Sequence, residues 1–149
     1  MAETRGPRRA AGVVVVRRLD DEGWRVLVLR AYRNWDFPKG VAEPGEAPQA
    51  TAVREAEEEA GLRDLAFRWG DGFVETEPYA GGKVARFYVA ESPGDTVVLR
   101  PNPALGRAEH HEWRWATFAE ARRLLAPRLQ RVLAWAASVV GVRDLNARC

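Results

Sequence analysis

Glu55, Glu58 and Glu59 stand at positions i, i+3 and i+4 of the segment VREAEEEAGL, residues 53–62. In a helix of about 3.6 residues per turn, these three carboxylates share one face. Like charges at that spacing destabilise a helix by about 0.2–0.5 kcal/mol per pair, so something has to offset them. A hard divalent cation does so, because Mg²⁺ takes oxygen ligands, keeps several waters and bridges to substrate phosphates. A solvated acidic face, with Arg54 and nearby arginines as partners, is the other reading of the same residues.

Such chemistry needs a helix, and Pro48 to Ala60 reads as one. Pro48 suits a first turn, Ala and Glu fill the interior, and Gly61 sits where a C-terminal cap belongs. Val53, Ala56 and Ala60 fall on an adjoining face suited to packing on a sheet, while Glu57 points to solvent. Before the helix, residues 40–46 (GVAEPGE) read as a loop, and so do residues 31–38 (AYRNWDFP).

The β-branched run within 11–18 and the segment 24–30 (WRVLVLR) read as strands on either side of turn residues 20–23. Strand-like segments follow at 65–78, 83–91 and 96–99, then an exposed loop at 101–111 and a short strand at 112–116. Helical pattern closes the chain over 118–126 and 128–140. That order predicts an α/β (α+β) fold, a mixed β-sheet sandwiched between helices.

Over the segment 40–62, Gly40 is followed after five residues by Glu46, and after seven more by Arg54-Glu55. Glu58-Glu59, Gly61 and Leu62 complete the pattern. It resembles the Nudix box, G-x5-E-x7-R-E-U-x-E-E-x-G-U with U apolar, and every fixed position is filled, although Ala56 is small for its U position. The resemblance implies the Nudix fold and a hydrolase of phosphoanhydride bonds. It implies further that Glu55, Glu58 and Glu59 bind Mg²⁺, for which Mn²⁺ could substitute. Gly40, lacking a Cβ, lets the backbone approach the cation, and Arg54, always charged, is suited to orienting a glutamate of the site. The metal would polarise a phosphoryl oxygen and activate a water.

Three flanking pieces are similar to asymmetric diadenosine tetraphosphate hydrolases. They are NWDFPKGVAEPGE (34–46), KVARFYVA (83–90) and EHHEWRWATFAEA (109–121). The resemblance implies that Lys39 and Lys83, the only lysines in an arginine-rich chain, contact the polyphosphate. Glu109 would be a further metal ligand or the base for the attacking water. Tyr79, Phe87 and Trp113 are candidates to stack on adenine, of which one or two at most would do so, while Trp35 and Trp115 are assigned to structure. His110, next to Glu109, reads as a solvated loop side chain, with a contact to phosphate as the alternative. Val41 and Asn34 depart from the family pattern, which has histidines there.

The products expected are ATP and AMP. An oxidised nucleoside triphosphate, ADP-ribose or an RNA 5′ end are alternative substrates, and a catalytically silent nucleotide-binding module is the alternative class. That module is disfavoured by the retained glutamates.

At 149 residues the chain fits one domain, expected over 11–149, with residues 1–10 as a disordered lead-in. A net charge of +2 argues against a dedicated nucleic-acid module and leaves a small nucleotide as the expected partner. The one cysteine, Cys149, excludes an intrachain disulfide. The first ten residues lack the apolar run of a signal peptide, no stretch approaches a membrane span, and a cytoplasmic location is the expectation.

Overall fold

Four consecutive valines, Val13 to Val16, are all fully buried, because the strand that carries them lies in the middle of a sheet covered on both faces. The computed structural model describes residues 9–19 and 23–142. In chain order its elements are β1 (Arg9–Arg18), β2 (Trp24–Ala31), β3 (Asn34–Asp36), β4 (Lys39–Val41), α1 (Pro48–Ala60), β5 (Val74–Glu75) and β6 (Val84–Glu91). There follow β7 (Pro101–Asn102), β8 (Arg107–Ala108), β9 (Glu112–Ala116), α2 (Phe118–Leu124) and α3 (Pro127–Val140).

β1 is the axis of the sheet. It runs parallel to β6 from Arg9↔Val84 to Val16↔Glu91 and antiparallel to β2, and its first half also pairs with β4. The sheet order is β3-β2-β1-β6-β5, with β9 on β2, while β7 and β8 form a separate two-stranded sheet. Alternation along β1 divides the interior in two. Ala11, Val13 and Val15 face the core that holds Ala52, Ala56 and Ala60 of α1. Ala10, Val14 and Val16 face the core that holds Phe118 of α2 and Leu129, Val132 and Leu133 of α3. The expected mixed sheet between helices is therefore the observed architecture.

Several boundaries differ from the sequence reading. β1 begins at Arg9, two residues before the expected domain start, and residues 1–8 of the expected lead-in lie outside the described residues. The first segment read as a loop contains β3 and the second overlaps β4, strands that at three residues each are too short to display a period. The strand expected over 65–78 reduces to Val74–Glu75 and an isolated bridge, Ala66↔Glu91. Residues 96–99 form no strand, whereas the expected loop at 101–111 holds the β7–β8 hairpin.

On α1 the buried stripe is Ala52, Ala56 and Ala60 at i, i+4 and i+8, so Val53 is displaced from the sheet-facing role and is 41% exposed. α2 opens on a capping box in which Thr117 and Glu120 satisfy each other's backbone N–H, an arrangement that stabilises by about 1 kcal/mol. It stops before Pro127, which begins α3. No described helix is long and apolar enough to cross a membrane.

Candidate metal centre and substrate cleft

The helix α1 is fixed at both ends by local chemistry. Pro48 occupies its first turn, and Gly61 adopts the left-handed conformation (φ 68°), donating its N–H to the carbonyls of Ala56 and Glu57. Its small-residue stripe lies flat on β1, and the adjoining face carries Glu55, Glu58 and Glu59 toward β4.

Two residues of β4 meet those glutamates directly. The Lys39 backbone N–H donates to Glu59 Oε1 at 3.0 Å. A Cβ placed on Gly40 would run into the Glu55 carboxylate, so only glycine lets strand and glutamate approach this closely. Gly12, opposite Lys39 on β1, is needed for a related reason, since a Cβ there would come within 2.6 Å of Lys39 Cβ and 2.8 Å of the Phe87 ring.

Arg54 organises the acidic cluster from the side. Its Nε and Nη2 donate to Glu46 at 2.8 and 2.9 Å, Nη1 donates to Glu55 at 2.9 Å and to Glu58 at 3.1 Å, and Nη2 also donates to the Val41 carbonyl at 3.1 Å. Hydrogen bonds from Arg54, from the Thr51 hydroxyl and from the Glu43 N–H hold Glu46 down at about 2. The same glutamates raise the Arg54 guanidinium still further above its ordinary value. Arg54 does not line the cleft described next and meets it only through the glutamates it holds.

Lys39, Gly40, Glu55, Glu58, Glu59, Lys83 and Glu109 line one cleft of about 530 Å³. These seven were named from sequence, and they arrive from β4, α1, the turn before β6 and the segment after β8. Glu59 is pushed up to about 10, first by burial and then by the charge of Glu109, against the pull of the Lys39 N–H. Burial also raises Glu55, despite Arg54. Burial alone would lower Lys39, but Asp36, Tyr79 and Glu59 outweigh it and the net shift is upward. Asp36 carries most of that duty, with its carboxylate 3.2 Å from Lys39 Nζ and 3.3 Å from Arg128 Nη2.

The donor set fits a divalent cation. Glu59, Glu109 and His110 each offer a ligand atom within 4.8 Å of the others. Two carboxylates held this close, one of them buried, are stable as anions only with a cation between them. His110 is 6% exposed, its Nδ1 has no hydrogen-bond partner among the described residues, and burial lowers its pKa despite Glu109. A neutral imidazole with a free nitrogen is a competent ligand for Mn²⁺ or other transition ions, alongside the oxygens that suit Mg²⁺.

Three stacking candidates fall outside the cleft lining. Phe87 is fully buried on β6, edge-on to Phe37 at 5.5 Å between centroids, so its assignment to adenine is corrected to core packing. Tyr79 is half-buried under the Arg128 guanidinium, which lies 4.5 Å from its ring. Trp113 sits on β9 opposite Leu29 and is 41% exposed. Trp35 is buried beneath Arg30 and Arg114, and Trp115 donates its Nε1–H to the Asp95 carbonyl, both structural as expected. Sequence reasoning missed four residues of the site: Glu46 as the partner of Arg54, Asp36, the buried His110, and Arg100 in the cleft wall. Only Glu46 carried a signal, its fixed spacing from Arg54.

A glutamate-bearing helix entered through a glycine strand and laid on a mixed sheet between helices defines a class of enzyme. The family model described as NUDIX domain matches residues 6–136, and the chain belongs to the Nudix family as a hydrolase of phosphoanhydride bonds. Among its relatives is the asymmetrical bis(5′-nucleosyl)-tetraphosphatase of Sus scrofa, 33% identical over 127 residues that cover 78% of this chain and 83% of that protein. The RNA pyrophosphohydrolase of Shewanella sediminis is 24% identical over 132 residues, covering 79% and 75%. The solved binary complex of a C. elegans Ap4A hydrolase superposes with a TM-score of 0.76 at 25% identity, covering 89% of this chain and 98% of that one.

Proposed function

We propose that this Nudix hydrolase is a Mg²⁺-dependent cytoplasmic enzyme that cleaves diadenosine tetraphosphate to ATP and AMP. The observation that carries the reading is the cleft itself, where Glu55, Glu58, Glu59 and Glu109 face Lys39 and Lys83. Carboxylates for a cation and ammonium groups for phosphate oxygens are what a polyphosphate ester requires. Similarity to asymmetrical tetraphosphatases supports the particular substrate.

Glu55, Glu58, Glu59 and Glu109, with the Gly40 backbone, are the residues that would hold the cation. When bound, Mg²⁺ supplies charge neutralisation at the phosphoryl oxygens and acidifies a water. Lys39, fixed by Asp36, binds the phosphate chain together with Lys83. A water oxygen bonds to phosphorus as the bridging P–O bond breaks, and the displaced phosphate leaves as an anion. The water's proton passes to a carboxylate, for which Glu58 and Glu109, both exposed to the cleft, are placed. Arg54 keeps Glu55 and Glu58 in position throughout.

The test is product analysis by anion-exchange chromatography with Mg²⁺. Diadenosine tetraphosphate, ADP-ribose, 8-oxo-dGTP and triphosphate-ended RNA are offered in parallel. ATP plus AMP from the first, at the highest kcat/KM of the four, supports the reading. A clear preference for another substrate overturns the substrate assignment, and turnover of none overturns the enzymatic reading.

A further inference from the structure

Arg100 enters the cleft on a structural element that the glutamate helix does not share. In the β7–β8 hairpin Pro101 pairs with Ala108 and Asn102 with Arg107, so the next rung places Arg100 opposite Glu109. Residues opposed across an antiparallel pair project to the same face. Both side chains indeed line the cleft. Glu109 has company there in Glu59 and His110.

Arg100 has none. It is only partly exposed, and among the described residues its guanidinium makes no hydrogen bond or ion pair. The other cations around the site contrast with it: Lys39 is held by Asp36, and every N–H of Arg54 is taken by a carboxylate or a carbonyl. A guanidinium drawn partly out of water without replacement partners favours a ligand that brings acceptor oxygens. Its planar fork matches the paired oxygens of a phosphate better than any ammonium does.

We propose that Arg100 is a substrate-binding residue that takes a phosphate of the polyphosphate chain beyond the one attacked, and so favours longer chains. This rests on the reading of the cleft as a polyphosphate site. The hairpin sets a cation and a carboxylate side by side without pairing them, which leaves Glu109 for the metal and Arg100 for the substrate. A chain of three or four phosphates extends past the phosphates that the metal and the lysines take and so reaches Arg100, whereas a pyrophosphate is shorter by at least one phosphate.

The experiment uses the full chain in excess MgCl₂ and titrates inorganic tripolyphosphate and pyrophosphate by calorimetry into the wild type, Arg100→Gln and Arg100→Lys. Arg100→Gln is expected to weaken tripolyphosphate binding about tenfold and pyrophosphate binding less than about twofold, with Arg100→Lys between wild type and Gln. For diadenosine tetraphosphate, KM should rise about tenfold in Arg100→Gln while kcat stays within about twofold, because the contact is made in ground state and transition state alike. Unchanged tripolyphosphate affinity, equal losses for both anions, or a fall in kcat with KM constant would overturn the assignment. A wild type that binds tripolyphosphate through Arg100 but leaves diadenosine tetraphosphate intact would sink the substrate reading and keep the Arg100 site. Turnover of that substrate with tripolyphosphate affinity indifferent to Arg100 would do the reverse.

Discussion

Arg54 grips Glu46 with two parallel hydrogen bonds of 2.8 and 2.9 Å, and with its remaining nitrogen holds Glu55 and Glu58. One side chain thus ties the loop before α1 to two carboxylates of the cleft. Arg54→Ala should lower kcat by about 10–100-fold, the usual loss when a partner that orients metal-binding groups is removed. Arg54→Lys should recover little, since an ammonium cannot reproduce the fork. Steady-state kinetics across a Mg²⁺ titration measures both; an active Arg54→Ala enzyme would remove Arg54 from the positioning role.

Acid should loosen the same pair. Glu46 sits at about 2 against an ordinary value of 4.5, so its contribution is complete above 4.5 and is lost as the pH falls from there through about 2. Glu120, held low by the Thr117 backbone N–H and hydroxyl, acts in the same direction. Denaturant melts between pH 7 and pH 3 should show stability declining below 4.5. Glu46→Gln should be less stable at neutral pH and have a shallower acid limb; parallel curves would contradict this account.

Removal of the cation should be legible in stability as well as rate. At 100 times its dissociation constant, a cation that binds only the folded state stabilises it by about 2.7 kcal/mol. EDTA should abolish turnover and lower the melting temperature. Glu59→Gln, whose amide mimics the protonated acid, should melt close to the metal-free wild type, respond weakly to Mg²⁺ and lose about 10²–10³ in kcat. An undiminished Mg²⁺ shift in this variant would displace Glu59 from the metal site.

Gly40→Ala tests the close approach of strand and helix. Its Cβ would collide with the Glu55 carboxylate, so Glu55 must swing away from the cleft. Mg²⁺ affinity measured by calorimetry should fall about tenfold or more. An unchanged affinity would show that Glu55 is not needed at the cation.

Phe87 separates core from ligand. Truncation to Ala should cost about 3–5 kcal/mol, whereas Phe87→Leu, which retains most of the volume, should cost under about 1.5 kcal/mol and leave KM unaltered. Chemical denaturation and kinetics on the same preparations decide the matter; a raised KM in a stable Phe87→Leu enzyme would restore the stacking role.

The helix and its glutamates were readable because every determinant is local. Pro48, the alanine stripe, Gly61 and the fixed spacing from Gly40 to Glu59 all lie within one short segment. The central sheet was readable for a similar reason, since runs such as Val13 to Val16 leave few alternatives to a buried strand. Phe87 was misassigned because β6 is buried on both faces, so alternation could not tell which side of the strand met ligand and which met Phe37. His110 owes its role to Glu59, far along the chain, and Asp36 holds not only the nearby Lys39 but also the distant Arg128. β3, β4, β7 and β8 are so short that only tertiary pairing makes them strands.

Glu109 follows directly on a two-stranded sheet of its own, apart from the helix α1 that carries every other carboxylate of the cleft. Selection can therefore lengthen, shorten or recharge that hairpin without disturbing α1 or the valine core beneath it. Arg100 and one carboxylate of the cleft thus travel on a piece of chain that can vary while the helix and its three glutamates stay as they are.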